Sequence, residues 1–183
     1  MKWFALLALA TTFTSQANTQ MCFTRAGHDY GIDPLLLAAI SIQESSLNPR
    51  AVNNSYSATQ EDVCGMQVNS SHYEELKRFN ITRERLLNEP CICTYAGAWV
   101  LAKNFRSYGK NWDSVGIYNA GPRKKMMAVR KSYARTISGI YKVLLVRKKM
   151  TQDYLISRNI STANNPLLSA ESIASEAIKY PVR

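Results

Sequence analysis

An almost unbroken apolar run, "LLLAAISI" at residues 35–42, restricts most strongly how this chain folds. Asp33 and Pro34 come directly before it, and an N-cap acceptor followed by proline is typical of a helix start. Ser, Asn and Pro residues follow at 45–49, where the pattern predicts that the helix ends. A helix that is apolar on all its faces belongs inside a core. The run therefore predicts a buried helix.

The last turn of this helix carries an acid, Glu44, although the dipole at a helix C-terminus disfavours negative charge. Counting back by helical steps gives it a mostly apolar set of neighbours, Ser41, Ile40 and Leu37. Desolvation and the dipole both raise the pKa of a carboxyl in such a place. A glutamic acid that stays protonated near neutral pH can act as a general acid. The alternative is a side chain that turns into solvent or pairs with Arg50.

The first seventeen residues, "MKWFALLALATTFTSQA", combine a lysine, a short apolar run and a small-residue ending. Ser15 and Ala17 stand at the minus-three and minus-one positions of a cleaved secretory signal. A membrane anchor needs about 20 apolar residues, and this run is less than half that length. We predict a signal peptide at residues 1–17, an exported mature chain that begins near Asn18, and no stable membrane span.

Four cysteines, Cys22, Cys64, Cys91 and Cys93, can pair in three ways, and export makes disulfides chemically possible. Only Cys91 and Cys93 are close in sequence, which does not fit the two close pairs usual in a zinc site. Cysteines so near each other seldom bridge, so we expect each to reach back to Cys22 or Cys64. We expect no metal and no cofactor.

The formal net charge of +10 is concentrated late in the chain. Six basic residues occur without an intervening acid, at Arg123, Lys124, Lys125, Arg130, Lys131 and Arg135. Such a run indicates a solvated helix face, a surface for an anionic polymer or a nucleic-acid surface. It lacks the aromatic interleaving of a single-strand binder, and the chain is predicted to be exported. We therefore expect no nucleic-acid partner.

Helical periodicity covers most of the remaining chain, and 183 residues suit one domain with extensions. A loop is predicted at 48–60 and a short hairpin or irregular turn at 61–72. Helices are predicted at 70–79, 91–108, from 112 to Gly121, and from Met126 to about Val146. After Met150 the pattern weakens, so residues 150–183 are predicted to form a C-terminal tail outside the 18–149 domain, flexible or docked on a partner, with one short helix near Ala170–Tyr180. The fold class is mostly α, with five or six helices and a small irregular or β-hairpin lobe.

Four stretches, taken together and in this order, resemble the lytic transglycosylase family with the lysozyme-like fold. They are "CFTRAGHDYGIDPLLLAAISIQESSLNP", "GMQVNSSH", "LLNEPCICTYAGAWVLA" and "VGIYNAG", and the resemblance runs from about Cys22 to Val146. The resemblance is strongest to small exported members tied to conjugation, pilus and secretion machines. It implies a lysozyme-like α domain that cleaves the β-1,4 link between N-acetylmuramic acid and N-acetylglucosamine in peptidoglycan.

The resemblance also implies residue roles. Glu44 would protonate the glycosidic oxygen and then, as a base, take the proton of the muramoyl 6-hydroxyl, which closes a 1,6-anhydro ring in place of attack by water. Ser45 would orient Glu44 or the sugar, and Met66 and Gln67 would line the cleft. The helix turn facing Glu44 would be held by Tyr118 and Asn119, and the acid would be reached by Tyr133. Met66 and Tyr133 could instead be core residues, and Asn119 a cap.

Two cysteines depart from the family pattern. Cys64 stands where the family generally has glycine, followed by Gly65 in place of a larger apolar residue, and Cys93 stands where relatives more often carry asparagine. Two unusual cysteines suggest an added Cys64–Cys93 bridge. Cys22 and Cys91 occupy positions where related members carry cysteine, so the resemblance implies Cys22–Cys91 as the other pair.

A second carboxylate is the remaining chemical question, since retaining and inverting hydrolases both need one. Asp62, just ahead of the Met–Gln motif, is the best-placed candidate, and Glu61 is next. The alternative is a loop acid that faces water. The resemblance implies that one glutamate is sufficient, with the acetamido group of the substrate assisting.

The resulting prediction is a periplasmic lytic transglycosylase of a Gram-negative bacterium. Its predicted partners are peptidoglycan glycan strands and components of an envelope-spanning secretion, pilus or conjugation apparatus, for which it would open the wall locally. One alternative is a muramidase of the same fold that uses water. The other is a non-catalytic wall-binding assembly factor.

Overall fold

The structure, a computed structural model, describes residues 20–54 and 59–180. The predicted signal peptide lies outside the described residues. The helices in the described part are α1 (Phe23–Tyr30), α2 (Pro34–Ser45), α3 (Tyr73–Lys77), α4 (Arg83–Asn88), α5 (Pro90–Tyr108), α6 (Trp112–Ala120), α7 (Met127–Ser157) and α8 (Ala170–Lys179). The strands are β1 (Val52–Asn53), β2 (Asp62–Val63) and β3 (Val68–Asn69). This mostly α architecture with one small sheet confirms the predicted fold class.

The apolar helix α2 lies at the centre of the core. Its residues 35–41 are all buried, and it packs against α1, α5, α7 and α8. The Asp33 carboxylate accepts a hydrogen bond from the Leu35 backbone N–H at 2.8 Å and caps its N-terminus. The helix ends where Ser46 takes a left-handed backbone with φ of 52°. The prediction of a buried helix is confirmed.

The small lobe is an antiparallel sheet with strand order β1-β2-β3. Asp62 lies opposite Asn69, and Val63 lies opposite Val68 on one side and Val52 on the other. Residues 64–67 form the tight turn between β2 and β3, in which Cys64 has φ of 64° and Gln67 has φ of 47°. Glycine adopts this left-handed backbone most readily, which explains why a glycine would suit position 64. Here Cys64 adopts it instead.

Two disulfides tie the lobe and α1 to α5. Cys22 is bonded to Cys91, and Cys64 is bonded to Cys93. This is the pairing that the family resemblance implied. Because Cys91 and Cys93 both lie in the first turn of α5, one helix end holds both the start of α1 and the turn of the lobe. Both bridges close long loops, which restricts the unfolded chain.

Helices α6 and α7 approach each other closely at a glycine. A side chain at Gly116 of α6 would meet the Arg130 backbone oxygen of α7 at 2.5 Å, so these two helices touch there. Helix α7 extends beyond the predicted 126–146 segment and ends at Ser157. Leu155 in this extension is buried. Helix α4 was not predicted, since it contains only six residues. No helix in the described ranges has the length and apolar character needed to cross a membrane.

The C-terminal segment corrects a prediction. Residues 150–183 were expected to lie outside the core, but Ala170, Ile173 and Ala174 of α8 are buried in the same core cluster as α2. The Glu171 carboxylate accepts hydrogen bonds from the Thr24 backbone N–H at 2.8 Å and the Thr24 hydroxyl at 2.7 Å. The Ser-, Asn- and Ala-rich composition of this segment indicated a tail, whereas Ile173 and two alanines form a face of α8 that packs into the core.

Candidate active site

A cavity of about 670 Å³ lies between the C-terminal end of α2, the small sheet and α6. Five predicted site residues line it, namely Glu44, Asp62, Gln67, Tyr118 and Asn119. The wall also includes side-chain amides from the sheet and α5, at Asn53, Asn69 and Asn104, and the Ser71 hydroxyl after β3. Residues from α2 and α6 that are 73 or more positions apart in sequence therefore share one pocket. Its size and polar lining suit an extended polar ligand such as a sugar chain.

Glu44 lies at the wall of this cavity on the last turn of α2, with apolar neighbours below it. Burial raises the pKa of its carboxyl to about 7, the negative charge of Asp62 adds to the increase, and a hydrogen bond from Tyr133 opposes it. The Tyr133 hydroxyl, on α7 and only 8% exposed, donates this hydrogen bond to Oε1. Because Oε1 is occupied in this way, Oε2 is the oxygen left to carry and deliver a proton.

Tyr118 of α6 lies beside this acid. Its hydroxyl donates a 2.7 Å hydrogen bond to the Met66 backbone oxygen, which ties α6 to the turn of the lobe. Burial and the neighbouring charge of Glu44 raise the pKa of Tyr118 well above its ordinary value. The phenol therefore stays neutral and acts as a hydrogen-bond donor at neutral pH. Its role is to hold the cavity wall opposite α2 in place.

Ser45 does not contact the carboxylate of Glu44. Its hydroxyl donates a 2.8 Å hydrogen bond to the Gly65 backbone oxygen, and the hydroxyl of Ser41, one turn earlier, donates to the same oxygen at 2.8 Å. These two serines fix the end of α2 to the turn of the lobe on either side of Glu44 in the chain. Ser45 thus orients the acid only through the backbone. The role of Ser41 was missed, although helical spacing already placed it on the face of Glu44.

Met66 corrects a second prediction. Its side chain is fully buried and packs against Gly97 of α5, where an added methyl group would come within 2.7 Å of it. Met66 therefore supports the cavity from beneath and does not line it. Gln67 does line the cavity, and its side-chain amide donates a 3.0 Å hydrogen bond to the Cys64 backbone oxygen. The tight turn therefore directs the side chains of Met66 and Gln67 in different directions.

The two acids ahead of the turn have different surroundings. Asp62 lines the cavity, accepts a 2.7 Å hydrogen bond from the Asn69 amide, and has its pKa raised by burial. Glu61 instead makes a two-point ion pair with the Arg83 guanidinium at 2.7 and 2.9 Å. This cation lowers the pKa of Glu61. Asp62 is thus the second acid of the cavity, and Glu61 holds β2 to α4.

Asn119 is exposed at the cavity wall, and its side chain makes no hydrogen bond within the described part of the chain. It is therefore available to a ligand. His72 and Arg123 also line the cavity, and neither was predicted as a residue of the active site. His72 packs edge-on against Trp99 at 5.6 Å, and burial lowers its pKa, so it is neutral at pH 7. The sequence signal for His72 was its place as the last residue of the family-like stretch "GMQVNSSH".

This arrangement, one glutamic acid half-protonated near neutral pH in a polar groove, can deliver a proton to a bound ether oxygen. The chain belongs to the family defined by the transglycosylase SLT domain, whose model matches residues 21–140. That span begins before α1 and ends within α7, so it includes every cavity residue named above.

Curated relatives support the same assignment. The chain is 40% identical to X polypeptide of Escherichia coli strain K12 over 144 residues, which is 76% of this chain and 83% of that protein. It is 37% identical to invasion protein IagB of Salmonella typhimurium strain SL1344 over 123 residues, 67% of this chain and 76% of that protein. It is 35% identical to protein IpgF of Shigella flexneri over 116 residues, 63% of this chain and 76% of that protein.

Proposed function

We propose that this protein is a lytic transglycosylase that cleaves the β-1,4 bond between N-acetylmuramic acid and N-acetylglucosamine in peptidoglycan. The observation that carries the proposal is the Glu44 carboxyl, which is buried at the wall of the 670 Å³ cavity with a pKa of about 7. An acid with this pKa is protonated in about half of the molecules at neutral pH, as a general acid and base requires. Membership of the SLT domain family supports the same reaction.

In the proposed reaction, Glu44 first donates its proton from Oε2 to the glycosidic oxygen, and the bond to the muramoyl C1 breaks. The resulting carboxylate then takes the proton of the muramoyl 6-hydroxyl, and O6 bonds to C1. The products are a 1,6-anhydro-muramoyl end and a free N-acetylglucosamine hydroxyl, and no water is consumed. The Tyr133 hydroxyl holds Oε1 through both steps and stabilises the carboxylate between them.

Asp62 is proposed to stabilise the positive charge that develops on the sugar ring in the transition state. It lines the same cavity, and its charge acts on Glu44. The Asn69 amide bound to it keeps the carboxylate in place. Replacing Asp62 with asparagine tests this role, because full activity in that variant removes Asp62 from the mechanism.

The proposed site of action is the periplasm of a Gram-negative bacterium, where the enzyme opens the wall for an envelope-spanning machine. Two disulfides fit an exported protein. One relative is named an invasion protein, which supports a role alongside a secretion, pilus or conjugation apparatus. The five exposed cations of the late basic run, Arg123, Lys124, Lys125, Lys131 and Arg135, are proposed to favour approach to the anionic wall.

The experiment is digestion of purified sacculi with the wild type and with Glu44→Gln, followed by identification of released muropeptides by mass. The expected result is anhydro-muramoyl products from the wild type and none from the variant. Glu74→Gln is the matched control, since Glu74 is an exposed acid paired with Lys77 away from the cavity. Reducing muramoyl ends would identify a muramidase instead. Sacculus binding without any product from the wild type would identify a wall-binding assembly factor.

A further inference from the structure

Arg123 is the only arginine or lysine among the described residues that line the cavity. It follows Gly121 and Pro122 in the turn between α6 and α7, and it is exposed. Its guanidinium has no hydrogen bond or ion pair with any part of the chain that the structure describes. His72 is neutral at pH 7, so among the described residues that line the cavity, Arg123 is the one with a positive charge at this pH.

The backbone that carries Arg123 is held firmly by a different arginine. Arg130 of α7 is 7% exposed, and its Nη1 donates to the Arg123 backbone oxygen at 3.0 Å and to the Gly121 backbone oxygen at 3.4 Å. Its Nε pairs with Asp113 of α6 at 3.0 Å. The missing side chain of Gly116 lets Arg130 approach this closely. The turn is therefore fixed to two helices while the Arg123 side chain remains unpaired.

A backbone fixed by a buried cation, with a second cation left free beside a groove, suits recognition of an anion. The sugar rings of the proposed substrate are uncharged. The negative charge of a glycan strand is on the muramoyl substituent, either as carboxylates of an attached peptide or as the lactyl carboxylate of a strand without peptide. Both sources offer a guanidinium the same planar, two-oxygen partner.

We propose that Arg123 forms a carboxylate-binding subsite of the cavity, which selects glycan strands for the acid carried on their muramoyl substituent. This proposal rests on the proposed function only in that the cavity holds a glycan. It assigns Arg123 to substrate selection, whereas Glu44 performs the chemistry. Neutral glycans are therefore bound without the help of Arg123.

The test measures affinity in the Glu44→Gln background, where the ligand is not cleaved. Three soluble glycans of equal length serve as probes: peptide-bearing peptidoglycan strands, the same strands after amidase treatment, and neutral chito-oligosaccharide. Arg123→Gln is expected to weaken binding of the peptide-bearing strands by about three- to tenfold and to leave chito-oligosaccharide unchanged. A loss confined to the peptide-bearing strands identifies the peptide carboxylates, a loss confined to the amidase-treated strands identifies the lactyl carboxylate, and an equal loss on both shows that Arg123 binds either carboxylate.

Lys124→Gln is the matched control, because Lys124 is the next residue, is exposed, and does not line the cavity. It removes the same charge from the basic run without changing the cavity lining, so it measures only the general attraction of that run, and its expected effect on each of the three affinities is at most about twofold. Arg123→Lys keeps the charge without the planar fork and is expected to recover part of the loss. The difference between Arg123→Gln and its parent is also expected to shrink at high salt.

Each of the following results overturns the inference. They are an equal effect of Arg123→Gln on all three glycans, an equal effect of Lys124→Gln, and no effect of Arg123→Gln on either anionic strand. Absence of binding to every glycan overturns it too, because the cavity then does not hold this ligand class. Failure of the proposed function appears separately, as a wild type that binds the strands and releases no anhydro products.

Discussion

Glu44 at the end of α2 and Glu61 at the start of the lobe are two acids of the same type in opposite surroundings. Glu44 is buried beside a neutral phenol and a like charge, and its pKa rises to about 7. Glu61 meets the Arg83 cation, and its pKa falls below the ordinary value. Each acid accepts a hydrogen bond from a tyrosine hydroxyl, so the difference lies elsewhere: burial disfavours the charge of Glu44, whereas the Arg83 cation favours the charge of Glu61. Glu44 can therefore donate a proton near neutral pH, whereas Glu61 stays ionised and holds β2 to α4.

The largest expected difference is in turnover. Glu44→Gln removes the proton donor and is expected to lower the rate of product release from sacculi by about a thousandfold. Glu61→Gln leaves the cavity wall intact and is expected to stay within about threefold of the wild type, since Glu61 is outside the cavity lining. Initial rates on one sacculus preparation compare the two variants. A comparable loss of rate in both variants would show that the different surroundings of the two acids do not determine which of them acts in catalysis.

A smaller effect is expected from Tyr133→Phe, which removes the hydrogen bond to Oε1 of Glu44. That bond lowers the pKa of Glu44, so its loss raises this pKa further. The rate at pH 7 is expected to fall about tenfold through lost positioning, and the fall in activity at alkaline pH is expected to move to higher pH. The profile of kcat/KM against pH is the measurement. A lower rate with an unmoved alkaline limb would leave Tyr133 a purely structural role.

The smallest expected effect is on stability. Because the pKa of Glu61 is lower in the folded state, its ion pair stabilises the fold above the ordinary glutamate pKa, and this contribution is lost as the pH falls through the folded-state pKa. Glu61→Gln is expected to lower the free energy of unfolding by about 0.5–1 kcal/mol at pH 7 and by much less in acid. Urea unfolding at both pH values checks it. A loss of equal size in acid would show that charge is not the cause.

The identity of the cavity's acid, Glu44, and the direction of its pKa shift could be predicted from the sequence, because both depend on local spacing. Helical steps from Glu44 reach the apolar residues Ile40 and Leu37, which predicts a desolvated carboxyl with a raised pKa. The partnership with Tyr133, 89 positions later, was implied by family resemblance alone, because no local pattern links α2 to α7. The same limit applies to the disulfides. The residues on their own left the pairing open between Cys22 and Cys64.

The predictions for Met66 and for residues 150–183 were wrong because tertiary packing decides where these residues lie. Met66 was expected in the cleft, but the turn at 64–67 directs it inward against Gly97. Residues 150–183 were expected outside the core because their composition is rich in Ser, Asn and Ala, but Ala170, Ile173 and Ala174 of α8 are buried in it. Arg123 appeared in the sequence as one member of a basic run. Only the fold separates it from Arg130, which is buried against Asp113.

The most direct test of the account is the pKa of Glu44 in the folded protein, measured by carboxyl-carbon NMR with the signal assigned through Glu44→Gln. The account predicts a midpoint near 7, well above the ordinary value of 4.5. Above pH 4.5 the ionised form is then disfavoured by folding, so stability decreases as the pH rises to about 7. A midpoint at the ordinary value would contradict the account, since the acid would have no proton to donate at neutral pH.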